Sequence, residues 1–290
     1  MRKKDCMHKR IEKQELRMFA KLMIGTVPIC YFFILFLAGT FMSLDELIDM
    51  AGGVFFQGKE LARIFLLPQY PTGENLKELL LDTPGFYVTY WNSFIQTAGV
   101  LIVQCLVSLP AAWAFGRFSF RGKKVLYFMY LLLMLLPFQV MMLSEYIVLD
   151  RLHLMNTIWT VILPAGFATS SVIIMTSFFS QIPEEMIEAA RVDGASELTI
   201  FLQIGIPLGK GGILSALLLS FLEQFNAVER PMNFLKDKTL WPLSIYLPHI
   251  MDEKMSVAFA AAGLGMIPCI LIFLTGQEYL EQGITAGALK

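Results

Sequence analysis

Between Pro183 and Gly212 the chain reads PEEMIEAARVDGASELTIFLQIGIPLGKGG, which places Glu184, Glu185, Glu188, Arg191, Asp193 and Glu197 in an otherwise greasy sequence. Its end, GIPLGKGG, has the composition of a loop that cradles phosphate with backbone N–H groups. The spacing does not fit. Three residues separate Gly205 from Gly209 where four are required, and Gly211 stands where Ser or Thr should follow Lys210. No strand is expected before it, so nucleotide binding is assigned to another chain. His8, His153 and His249 fall in separate segments, and no paired carboxylates suggest acid–base chemistry. Cys30, Cys105 and Cys269 lie in apolar runs and Cys6 in a basic head, with no CxxC or Cys/His spacing. Neither a metal, a cofactor nor a catalytic site is predicted. The polar groups left for function sit inside apolar runs: Gln139 beside Pro137, and Glu223, Gln224 and Asn226. Ionisable groups in such places are costly and by default face a pathway or a partner. Glu145 is read as snorkelling or hydrogen-bonded near an outer surface, Pro137 as a structural kink, and Met134, Met141 and Met142 as packing.

The elements that must position these groups follow from composition. Of 290 residues 56% are hydrophobic and 16% charged, with mean hydropathy +0.61, against about a quarter charged in a soluble domain. The formal net charge of −1 gives no basis for nucleic-acid binding. About twenty apolar residues cross a bilayer as a helix. Six runs qualify, near 22–42, 91–115, 125–147, 157–180, 211–228 and 256–276, the fifth being the most polar. The expected fold is all-α, a polytopic membrane protein with six transmembrane helices. The first run exceeds a cleavable signal core and no A-x-A-like site follows, which predicts a retained anchor. One set of flanks (the 1–21 head, 116–124, 181–210 and the 277–290 tail) carries 15 Lys and Arg, and the other (43–90, 148–156 and 229–255) carries 8. By the positive-inside rule both termini and the 183–207 segment are predicted cytoplasmic, and 43–90 extracytoplasmic. The protein is expected in the cell membrane as a multi-pass component, with an interfacial helix possible in its basic head.

The charged segment itself has helical grammar. Pro183 suits a first helical position, where its missing N–H costs nothing, and Glu184 and Glu185 suit the positive end of the helix dipole. Ala189 and Ala190 are small enough for a partner backbone to approach. Asp193-Gly194 signals a turn. Ser196 suits the cap of a second short helix with Glu197 in its first turn, apolar through Leu198, Ile200, Phe201 and Ile204 and ended by Pro207. The prediction is helix, glycine elbow, helix: a docking element for a cytoplasmic partner rather than a solvated loop.

EAARVDGASELTIFLQIGIPL resembles the EAA signature of ABC importer permeases, with Glu188, Ala189, Ala190, Gly194, Ile204 and Pro207 matching; Asp193-Gly194-Ala195 resembles its carbohydrate form. NSFIQT (Asn92–Thr97), AAWAFGRFSFRGKK (Ala111–Lys124), Asn156-Thr157 and the final GITAGALK are similar to further motifs of the family and keep its order from about residue 20 to 290. The pattern is closest to the shorter six-helix subunit of maltose-type permeases. Phe225-Asn226 stands where Trp-Asn is frequent, and Gly211-Gly212 where Pro is common. The resemblance implies a type I importer fold and a coupling helix at Glu188–Gly194 that inserts into an ATPase subunit. It also implies a second permease subunit forming a heterodimer, two ATPase subunits, an extracytoplasmic substrate-binding protein and a sugar or oligosaccharide as cargo. A secondary transporter or channel is the alternative; such folds tend to show internal repeats, and the halves of this chain do not repeat.

Overall fold

The computed structural model describes residues 23–27, 30, 31, 33–52 and 67–288. The 1–21 head, parts of the predicted 22–42 crossing and of the 43–90 segment, and the last two residues lie outside the described residues. Among the described residues there are helices and turns and no strand. The main elements are α1 (Pro84–Arg117), α2 (Lys123–Leu135), α3 (Phe138–Arg151), α4 (Trp159–Gly166), α5 (Thr169–Phe179), α6 (Glu184–Val192), α7 (Glu197–Ile200), α8 (Lys210–Phe225), α9 (Glu229–Phe234), α10 (Leu243–Glu253) and α11 (Met255–Ala288).

Three helices are long and apolar enough to cross a membrane by themselves: Pro84–Arg117, Trp159–Phe179 and Met255–Glu281. Two bent pairs also qualify, which makes up to five spans among the described residues: α2 with α3, turned by 108°, and Glu197–Leu208 with α8, turned by 73°. Five of the six predicted runs fall on these elements; the sixth, 22–42, is helical at 23–27, 30–31 and 33–39. The helix predicted at 91–115 is longer at both ends. The third run is no continuous rod. Leu136 is extended (ψ 128°) because the ring of Pro137 excludes helical backbone from the residue before it. The fifth run is only 16 residues of α8, about 24 Å of helix against roughly 30 Å of hydrocarbon.

The chain forms two compact units. One comprises the described residues up to Pro84 together with His249–Leu264. Its core is Met42, Leu47, Met50, Met255 and Phe259. Ser43 caps a short helix, Leu44–Leu47, and Glu46 accepts the backbone N–H groups of Gln69 and Tyr70 at 2.8 and 2.9 Å. Buried Asn75 donates to the carbonyls of Thr40 and Met42, at 3.3 and 2.6 Å, and so ties the chain after residue 67 back to the end of the first helical run.

The other unit, Gly85–Pro248 with Gly265–Lys290, holds the larger core. There α8 lies along α5, with the hydroxyls of Ser171 and Ser220 3.1 Å apart. Small polar residues recur on the buried face of α1 at Thr89, Ser93, Thr97 and Ser108, close to helical spacing. Such residues let helices approach without a large hydrocarbon side chain between them.

Asn75→Ala removes the donor of two buried carbonyls, a loss of about 1–3 kcal/mol. Amide exchange over residues 40–47, read by mass spectrometry, is expected to accelerate while exchange in α5 and α8 stays unchanged.

Candidate functional site: the elbow and its root

α6 begins one residue later than the sequence suggests. Pro183 is its cap, with extended ψ (136°), and Glu184 and Glu185 fill the first turn. The helix stops at Val192 because Gly194 turns left-handed, φ +82°. The Ala195 N–H then reaches back to Ala190 O at 3.0 Å, the six-to-one bond of a helix ended by a left-handed glycine. Ser196 caps α7, accepting the Thr199 N–H at 3.2 Å. Helix, elbow and helix are thus present as predicted.

The second arm differs from expectation. Pro207 does not end it; Phe201–Gly205 forms a π-helical turn, helical backbone continues to Leu208, and the bend falls at Gly209. The π turn has a local cause. The Ile206 N–H bonds Phe201 O, five residues back, and the next residue, Pro207, has no N–H with which to resume the α-helical ladder.

The elbow is rooted in the core of its unit. Ile187 from the first arm and Ile200 from the second, each 1% exposed, join Trp113, Phe179, Met175 and Ile213. Ala190 and Ile204 pack against this cluster, whereas Ala189 and Pro207 are exposed. The ring of Trp113 meets Phe179 edge-on at 5.3 Å and Phe201 at 5.5 Å. The glycines of GIPLGKGG give these rings room. A Cβ at Gly205 would lie 2.6 Å from Trp113, one at Gly209 2.4 Å from Phe179, and one at Gly212 2.4 Å from Phe178. Their role is close packing against aromatic rings.

Outside this root the elbow presents Glu188 and Asp193 with exposed Met186, Val192 and Leu198, the last three at 45, 87 and 65% exposure. Glu188 makes no hydrogen bond or ion pair among the described residues. Arg191 donates from Nε to Glu197 at 2.7 Å across the elbow and lies 3.6 Å from Glu184. The hydrogen bond to Glu197, together with the charges of Glu197, Glu184 and Glu188, holds its guanidinium protonated more firmly than usual.

The second group of polar candidates lies around α3, α8 and α9. Gln139 donates to Glu229 at 2.8 Å, and is not brought to Glu223, Gln224 or Asn226. Those three occupy the end of α8 and its cap. Glu223 is exposed, Gln224 half-buried with Oε1 lacking a partner among the described residues, and Asn226 donates to Leu222 O at 2.8 Å and to Cys269 Sγ at 3.7 Å. Glu145, expected to snorkel or to be hydrogen-bonded, is paired in fork fashion with Arg230 (3.1 Å twice), and that guanidinium stacks on Phe138 at 5.2 Å. The segment after α9 is fastened by side chains of the recognised motifs. Asn156, itself left-handed, accepts the N–H groups of Lys236 and Asp237 at 2.9 and 2.8 Å. Asn92 donates to Thr239 O and Trp241 O at 2.6 and 3.0 Å, Gln96 to Leu240 O at 2.8 Å, and Ser93 accepts the Leu243 N–H at 2.8 Å.

Residues 85–286 match the family described as binding-protein-dependent transport system inner membrane component. The chain belongs to this family. It is 24% identical over 257 residues to the arabinooligosaccharides transport system permease protein of Halalkalibacterium halodurans, covering 86% of this chain and 92% of that one. It is 27% identical to the galactooligosaccharides transport system permease protein of Bacillus subtilis, covering 83% and 88%. The fold is shared with a chain in a crystal structure of a bacterial ABC transporter involved in the import of the acidic polysaccharide alginate, at TM-score 0.77 and 22% identity, covering 92% of this chain and 96% of that one.

Inner membrane components of this family work in transport complexes with other subunits. Sequence reasoning missed two arginines of this permease. Arg117 sits at a helix C-terminus, where basic residues are routine, Arg230 in the first turn of a short helix, and only the fold brings Glu184 and Glu145 to them. The inward aim of Ile187 and Ile200 was legible in principle, since each is a large apolar residue on an otherwise polar or short helix.

Gly209→Ala must displace the Phe179 ring, at a cost of about 1–3 kcal/mol, whereas Gly194→Ala meets open space and loses only left-handed freedom, about 1–2 kcal/mol. In detergent, Gly209→Ala is expected to lower the thermal transition, and Gly194→Ala to loosen the elbow, seen as faster exchange of the Ala195 amide. A second expectation concerns pH. Asp237 accepts the backbone N–H and the hydroxyl of Thr239, and these bonds hold its carboxyl below the ordinary value. Order in the Lys238–Leu240 turn should therefore persist at neutral and mildly acid pH, and be lost as pH falls through the lowered pKa; protection of the Thr239 amide against pH measures this.

Proposed function

We propose that this permease is one membrane half of an ATP-driven importer for a sugar or oligosaccharide, coupled to its ATPase through the elbow at Glu188–Gly194. The observation that carries the reading is the elbow itself, whose buried side is welded to the core by Ile187 and Ile200 while Glu188, Val192 and Leu198 face outward. Exposed apolar side chains beside an unpaired carboxylate suit a groove on another protein. Glu188, Ala189, Ala190, Asp193, Gly194, Ile204 and Pro207 form the coupling segment, Glu188 orienting it by charge and Gly194 allowing its turn.

The Lys and Arg distribution supports placing the elbow, with both termini, in the cytoplasm. ATP hydrolysis belongs to two separate ATPase subunits. A second, related permease completes a heterodimeric pathway, to which Gln139, Glu223, Gln224 and Asn226 are the candidate contributors here. A substrate-binding protein meets the opposite face through 43–90 and 229–255. The carbohydrate cargo is supported by the relatives named for arabinooligosaccharides and galactooligosaccharides. A stand-alone secondary transporter gains no support from the helix order or the elbow.

The chain expressed with the other subunits of its system and purified in detergent should bring an ATPase subunit with it. Glu188→Arg combined with Val192→Glu changes only exposed positions, so the permease should accumulate normally. Recovery of the ATPase subunit is expected to fall at least tenfold; undiminished recovery sinks the docking assignment.

A further inference from the structure

Arg117 is the last residue of α1, and its side chain is only 6% exposed. A helix C-terminus suits a cation, but a lysine or arginine at that place ordinarily extends into water. This one turns inward. Nη1 donates to the carbonyl of Ile182, at 2.8 Å, in the turn that follows α5. Nη2 donates to the carboxylate of Glu184, the first residue of α6. One planar guanidinium therefore grips three elements: the end of the longest described helix of its unit, the exit of α5, and the start of the elbow. Glu184 passes the link on to Arg191, and Arg191 to Glu197 beyond Gly194. The four charges alternate in sign, and exposure rises from 6% at Arg117 to 53, 40 and 47% along the row.

We infer that Arg117 is a positioning residue of energy coupling: it clamps the elbow to the end of α1, so that displacement of the elbow moves α1 with it. The inference rests on the proposed coupling role of the elbow and adds a route to it. By the chain alone, the elbow is joined to the membrane helices through α5 and α8. α1 is far away in sequence, and Arg117 connects it through a fork of directional bonds that an ammonium group cannot reproduce in full. The apolar root formed by Trp113, Ile187 and Ile200 already seats the elbow against α1, and the two-pronged guanidinium adds the directional bonds that fix its angle.

The test uses the assembled transporter with the four native cysteines replaced, spin labels on exposed Glu185 in the first turn of the elbow and exposed Leu106 in α1, and magnesium ATP with orthovanadate as the probe. In the parent protein the distance between labels should stay constant to within about 2 Å on trapping, because the two elements move as one body. With Arg117→Met the distance should change or its distribution at least double in width, and Arg117→Lys should restore only part of the parent behaviour. Glu184→Ala, half exposed, removes the acceptor of the same link with little burden on folding and should act like Arg117→Met if that variant fails to accumulate. An unchanged, narrow distribution in Arg117→Met or Glu184→Ala overturns the inference. Failure of the parent chain to bring an ATPase subunit with it overturns instead the proposed function on which the inference rests.

Discussion

The contact of Trp113 with Phe179 and Phe201 is the joint on which the larger unit depends. It draws together the end of α1, the end of α5 and the π turn that leads into α8. Three rings cannot meet around a helix that carries Cβ atoms at every position. Gly205 and Gly209 are therefore as much part of the joint as the rings themselves. The stretch that most resembles a phosphate loop by composition is in fact shaped for aromatic edges. Tight packing of this kind has few intermediate arrangements, which suits an element that passes on movement rather than absorbing it.

Upon that joint stand two levels of polar order. Near the elbow, ion pairs and caps are partly wet, so each one contributes little to stability and much to direction. At the other group of candidate residues, directional bonds run from side chains to backbone. Asn92, Ser93, Gln96 and Asn156 together satisfy six backbone groups between residues 236 and 243. A segment with little regular helix thereby acquires a fixed course. The charged pair of Glu145 with Arg230 adds a tie between α3 and α9, and Phe138 shields one face of the guanidinium.

Much of this was legible before any coordinates. Runs of apolar residues place the helices, Gly194 and Ser196 place the elbow, and Pro137 places the break in the third run. Each is a local effect, a matter of sterics or capping within four residues. What stayed hidden is what depends on distance along the chain. Nothing near Arg117 announces Glu184, 67 residues on, and nothing near Glu145 announces Arg230, 85 residues on. Pro207 misled for another reason. Proline rules describe an α-helix, and a helix that shifts to π spacing evades them without stopping. Gln139 stands out by its setting in an apolar run, yet its partner Glu229 lies in the segment after α8, which periodicity cannot pair with α3.

The π turn at Phe201–Gly205 carries a consequence for how this protein tolerates change. Its five residues wind with one more residue per closed ring than the α-helix on either side. Removing a single residue there would let the helix relax to regular winding with little net rotation of the flanking helices, because five residues at π winding and four at α winding turn the axis by similar amounts. Removing one from the α-helical turns beside it would instead rotate one side by about 100° relative to the other, and the glycines would turn away from their rings. Length is therefore negotiable at the π turn itself and fixed in the regular turns that flank it.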